Sequence, residues 1–176
     1  VRKVTGIGPP APILDLAGWA SHRWVGPRPR FLRTATAERV VPNVDPARVE
    51  PADLGLLDAL SAEAFRRGGC VVRQSPNADD WPLVAAAASL GRALVLTPTL
   101  DHARRVVRQL RRANVATALY SQDWAGSAAG HVTVGARSAA WAPITDLDAV
   151  LVLDEHDEAY QEESAPTWHA RDVALE

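Results

Sequence analysis

Apolar residues along 101–113 recur at the spacing of one buried helical stripe: Ala103, Val106, Val107 and Leu110 fall at i, i+3, i+4 and i+7. Thr99 or Asp101 can cap this helix, the most regular in the chain. A second stripe, Ile13, Leu16, Ala17, Ala20 and Trp24, predicts a helix over 12–25 opened by Pro12. Residues 1–11 read as a short strand running into a Pro/Gly loop. Gly26, Pro27 and Pro29 break the first helix, and Arg30 to Ala37 form a short further turn. Asp53 to Arg67 reads as a helix stopped by Gly68-Gly69. Short apolar runs at 70–73, 93–96, 116–120, 131–134 and 149–153 read as strands. Strands alternating with helices predict an α/β fold with a parallel sheet and helices on both faces.

Composition narrows the picture. Of 176 residues, 47% are hydrophobic and 23% charged, which fits one good core with room for a small second module. No apolar run approaches the roughly 20 residues that span a bilayer, and no export signal opens the chain. A cytoplasmic protein with no membrane partner is expected. The single cysteine, Cys70, has no partner for a disulfide and reads as a small buried hydrophobe. His102, His131 and His169 lack metal-ligand spacing, so no metal site is expected. Position 1 is Val, there is no Met, and the last residues read as a helix just starting. The chain is therefore expected to be an excised fragment.

Three prolines in residues 40–52 mark a linker, so the expected organisation is 1–39, a linker at 40–52, and a lobe over 53–176. Charge is segregated although the net is only −2. The charges within 22–39 are almost all positive and those within 146–163 mostly negative, which can create a basic face on a near-neutral protein. Arg23, Trp24, Arg28, Arg30 and Arg33 are candidate DNA contacts, with Trp19 and Phe31 as further stacking candidates; the arginines would neutralise phosphates and the rings stack on bases. The bland alternative packs the rings in a core. Arg104, Arg105, Arg108, Arg111 and Arg112 lie off the apolar stripe of their helix and read as a solvated face.

The run Val150-Leu151-Val152-Leu153 followed by Asp154-Glu155-His156-Asp157 has the form of a Walker-B box. There a buried strand delivers an Asp to Mg²⁺ and a Glu to the attacking water. A solvated acidic loop fits the same local pattern. The matching phosphate loop should follow the first strand with glycines, a Lys and a Ser/Thr. Residues 74–81 instead read Gln-Ser-Pro-Asn-Ala-Asp-Asp-Trp. Ser75, Asn77, Asp79 and Asp80 stand where the cradle would be, with no glycine and no lysine. Negative charge there opposes a triphosphate, so no ATP or Mg²⁺ cofactor is expected to act through this loop.

Val134-Gly135-Ala136-Arg137-Ser138-Ala139, the box at 154–157, Tyr160, and Trp168-His169-Ala170-Arg171-Asp172 together resemble the PriA (primosomal protein N′) replication-restart family. That family carries a Gly-Thr-Arg-Ser-Ala block, a DEEH-type Walker-B box and a Tyr-His-Ala-Arg-Asp block in this order. Ile13 to Ala20, Val25-Gly26-Pro27 and Phe31-Leu32 resemble the end of its N-terminal DNA-binding domain. The resemblance implies a RecA-like helicase lobe 1 with a degenerate nucleotide site, preceded by the C-terminal part of a small DNA-binding domain. It also implies that Arg137 lies near bound single strand.

The departures point to a degenerate member of the kind found in high-GC bacteria. The Gly-rich Lys-Thr loop is replaced, one glutamate of the acidic box is missing, and the winged-helix segment is cut to the linker. The second lobe and the zinc-binding cysteines would lie beyond Glu176. The implied function is binding of abandoned or stalled forks, with primosome assembly and replicative-helicase reloading, and without helicase activity. The implied partners are forked or single-stranded DNA and the primosome and helicase-loading proteins. Two alternatives stand beside it: an active ATP-dependent 3′–5′ helicase with a non-standard phosphate loop, and a non-catalytic protein-docking module.

Overall fold

The computed structural model describes residues 6–45, 52, 54–55, 59–120 and 122–176. In chain order the helices are α1 (Ala11–Arg23), α2 (Arg28–Ala35), α3 (Ala59–Arg66), α4 (Trp81–Ser89), α5 (Leu100–Arg112), α6 (Trp124–Ala129) and α7 (Ala170–Leu175). The strands are β1 (Ala93–Leu96), β2 (Thr117–Leu119), β3 (Val132–Gly135), β4 (Ala149–Val152), β5 (Gln161–Glu162) and β6 (Trp168–His169). Among the described residues no helix is long and apolar enough to cross a membrane.

β1 to β4 form a 4-stranded sheet in the order β2-β3-β1-β4, every pair parallel. Leu94 aligns with Thr133 on one side and Val150 on the other. Parallel neighbours need crossovers, and helices supply the first two. The chain leaves β1 through α5, skips a place to form β2, and returns through α6 to fill the gap with β3. A 3₁₀ turn at Arg137–Trp141 then leads across to β4. This is the architecture of a RecA-like lobe.

Alternation along each strand sends successive side chains to opposite layers. Ala93, Val95, Val132, Val134 and Leu119 join Val84, Ala87, Val106 and Leu110 of α4 and α5. Leu94 and Leu96 join Ile13, Ala17, Phe31, Trp141, Tyr160 and Val173 in the other layer. α4 carries the run Ala85–Ala88, all buried, and such small side chains let its backbone lie close to the sheet. α5 starts where Thr99 accepts a hydrogen bond from the His102 amide at 3.2 Å.

Residues 11–35 pack on the sheet. A file of rings runs Trp19–Trp24–Phe31–Trp141–Trp168, with centroids 5.0 to 6.3 Å apart. Tyr120 Oη donates to the Thr34 carbonyl at 2.8 Å, and Trp124 Nε1 donates to the Ala35 carbonyl at 2.8 Å. Val41 and Val44, inside the expected linker, also pack on this layer.

Several sequence expectations need correction. Cys70–Arg73 is not a strand, and Cys70 is exposed rather than buried. Three apolar residues bounded by Gly68-Gly69 and Arg73 find no neighbouring strand among the described residues, and an unpaired strand has little to stabilise it in water. Residues 6–10 are irregular, although the Ile7 amide donates to the Val41 carbonyl at 2.8 Å; residues 1–5 of the expected first strand lie outside the described residues. The turn expected over 30–37 is the helix α2. Within the expected helix 53–67, α3 occupies Ala59–Arg66, while 53 and 56–58 lie outside the described residues, as do 46–51 of the linker.

Candidate functional site

In open α/β sheets the ligand crevice lies beyond the carboxyl ends of the strands. Here those ends carry the acidic box after β4, the Thr97–Thr99 segment after β1, and α4 with the loop before it. Asp154 is exposed at φ 49, left-handed backbone that an L-residue adopts only under local constraint, Asp and Asn most readily. The constraints are visible. The Asp157 amide donates to the Asp154 carbonyl at 2.8 Å, and Tyr160 Oη donates to the Leu153 carbonyl at 2.6 Å. Asp157 Oδ1 accepts from the Ala159 amide at 2.8 Å. Burial, with Asp154 and Asp157 nearby, pushes the Tyr160 phenol well above its ordinary range, so it stays a donor.

Glu155 does not point free into the crevice. Arg171 Nη1 reaches its Oε2 at 2.5 Å, and this charge-assisted bond holds the carboxylate that would orient a water in a working Walker-B site. The signal was present in the sequence, because Arg171 belongs to the Trp-His-Ala-Arg-Asp block. Its 16-residue separation from Glu155 hid the pairing. His156 is exposed.

Across the crevice, the loop before α4 lacks the features of a phosphate cradle. The Ala78 amide donates to the Ser75 carbonyl at 2.9 Å in a tight turn, and Ser75 and Asn77 are exposed. A helix N-terminus binds anions through free amides. Here the Trp81 amide is taken by Asp79 Oδ1 at 3.0 Å, the Val84 amide by the Asp80 carbonyl at 3.1 Å, and Pro82 has none. Asp80 pairs with His102 Nε2 at 3.2 Å. Burial raises its carboxyl above the ordinary range, with Asp154 and Asp79 adding to the rise and His102 opposing it. The fold thus brings Asp79, Asp80 and Asp154 together with one imidazole. The carboxylates oppose the phosphate oxygens of a triphosphate, which need donors, and the Trp81 amide is already engaged.

The basic candidates fare differently from one another. Arg23, Arg28, Arg30 and Arg33 are all exposed on α1 and α2. Arg23 lies 5.9 Å from the Trp24 ring centroid, Arg28 donates to the Leu14 carbonyl at 2.6 Å, and Arg30 to the Ala165 carbonyl at 2.7 Å. Among the described residues Arg33 makes no hydrogen bond or ion pair. Trp24 is half-buried against Trp19, edge to face, and Phe31, 1% exposed, is core and cannot stack on a base. Arg137 lies in the 3₁₀ turn after β3. It donates to the Gln161 carbonyl at 2.7 Å and pairs with Glu162 at 3.1 Å, so it ties β3 to the β5–β6 hairpin.

No family model matches the chain. Among curated proteins, "Replication restart protein PriA" of Chlamydia pneumoniae is 43% identical over 58 residues, 31% of this chain and 8% of its own length. That of Bacillus subtilis is 41% identical over 44 residues, 25% of this chain and 6% of its own length. "Probable replication restart protein PriA" of Mycobacterium leprae is 29% identical over 170 residues, 94% of this chain and 24% of that protein. The chain is thus similar in sequence to these PriA proteins. It spans no more than a quarter of these relatives' length. In this lobe Glu155 is engaged by Arg171, Asp154 is exposed, and the loop before α4 carries Asp79 and Asp80.

Proposed function

We propose that this PriA-like chain acts in replication restart as a DNA-binding element that recognises abandoned or stalled forks. It would support primosome assembly and helicase reloading without hydrolysing ATP itself. One observation carries the second half: the crevice where a helicase holds triphosphate presents Asp79, Asp80 and Asp154, while at the start of α4 the Trp81 amide is taken and Pro82 has none. The first half is supported by the relatives' names and by the exposed arginines 23, 28, 30 and 33. Phosphate contacts by these arginines would set position on the fork without reading sequence.

The test is anisotropy titration of a labelled fork. Binding should weaken steeply with salt and be unchanged by Mg·ATP. Substituting the four arginines with Gln should weaken binding about tenfold or more, and unchanged binding would remove them from the interface. DNA-stimulated phosphate release that Asp154→Asn abolishes would favour the active-helicase alternative, for which the retained box after β4 is the supporting observation. A chain that binds no fork yet captures restart proteins would favour the docking alternative.

A further inference from the structure

α5 turns one face to the sheet and the other to solvent, and the solvent face is crowded with arginine. Two of its five arginines are engaged: Arg104 with Asp101 at 2.9 Å, and Arg111 with the Thr117 carbonyl at 3.1 Å. Arg105, Arg108 and Arg112 are exposed and, among the described residues, make no hydrogen bond or ion pair. They stand at i, i+3 and i+7, one stripe with neighbours roughly 5–6 Å apart. Like charges so spaced repel, and among the described residues no carboxylate pairs with them. The helix C-terminus favours cations only in its last turn, which accounts for Arg112 but not for Arg105 or Arg108.

The stripe, with His102 and Gln109 of the same helix, is also one wall of a groove of 380 Å³ whose other lining residues are Ala78, Asp79 and Asp80. Asp80 is paired with His102, and one oxygen of Asp79 is taken by the Trp81 amide. The two walls therefore have opposite character: unneutralised guanidinium on α5, carboxylate on the loop.

We propose that this groove is a second nucleic-acid contact, separate from the arginines of α1 and α2, and that it holds a single strand of DNA. The phosphates lie along Arg105, Arg108 and Arg112, and the base edges turn toward Asp79. The bipolar walls favour this occupant. A single strand puts its anions on one side and its amino-bearing bases on the other, so it matches both walls. A duplex lodged in the groove would press a second row of phosphates against Asp79 and Asp80. An acidic peptide carries carboxylates on every side and meets the same repulsion.

The experiment uses the 176-residue chain, a labelled mixed-sequence single strand, a labelled fork, and salt titrations of each. The triple variant Arg105→Gln/Arg108→Gln/Arg112→Gln should weaken single-strand binding at least tenfold. It should also lower the log–log salt slope by about 2, at roughly 0.7 per phosphate contact. The corresponding triple Lys variant should keep the slope, and circular dichroism should show all three chains folded alike. If the Gln variant misfolds, Arg108→Gln alone should still lower the slope by roughly 0.7. An unchanged slope and affinity in the Gln variants overturns the groove. So does displacement of the strand by polyglutamate as effectively, charge for charge, as by unlabelled oligonucleotide. Fork binding that survives with the groove overturned leaves the proposed function intact, whereas a parent chain that binds neither DNA overturns both.

Discussion

Asp80 is ionised at a cost. Its carboxyl is partly buried beside Asp79 and Asp154, so its folded-state value lies above the ordinary 3.8. For an acid raised by folding, the penalty is present at neutral pH and is relieved as pH falls through the raised value toward 3.8. Asp80→Asn removes that penalty, so its stability relative to the parent should be more favourable at pH 7 than near pH 4. Paired thermal melts at the two pH values check this, and a difference that grows toward acid would be wrong in sign. Arg171→Ala tests the other wall. The Arg171–Glu155 pair is nearly half exposed, so its loss should cost about 0–1 kcal/mol. Releasing Glu155 should bring no phosphate release, because the loop at 74–81 still lacks the glycines and lysine of a phosphate cradle.

At the scale of elements, the union of α1 and α2 with the sheet rests on a few buried contacts. Phe31 fills the space between Trp24 and Trp141, and Phe31→Ala should cost about 3–5 kcal/mol. Denaturant unfolding would measure it, and a cost below about 1 kcal/mol would mean the helices are only loosely laid on the lobe. A Cβ on Gly26 would collide with Pro166 and come within 3.1 Å of the Phe31 ring. Gly26→Ala should therefore destabilise by about 1–3 kcal/mol. The period of apolar positions made α1, α5 and the four strands of the main sheet legible, because each buries one face or a whole run. α4 was hidden, since a helix of consecutive buried alanines has no polar face to set a period. Cys70–Arg73 misled for the opposite reason: a strand's apolar run says nothing about whether a neighbour exists to pair with it. The acidic box could be placed after β4 from sequence alone. Its pairing with Arg171, and that of Asp80 with His102, required the fold, because contacts between distant positions leave no local pattern.

For the molecule as a whole, acidic and basic regions are separated so that each does a different job. Carboxylates gather at the carboxyl ends of the strands, and free guanidinium groups stand on α2 and α5. A near-neutral protein with this layout attracts a polyanion to its basic faces and repels one from its crevice. The most direct test is the affinity of the chain for a forked DNA, measured by anisotropy over a salt series with and without Mg·ATP. The expected result is binding that falls steeply with salt and coincides in the two series. No fork binding at low salt, or an affinity that depends on Mg·ATP, would contradict a DNA-binding lobe that works without nucleotide.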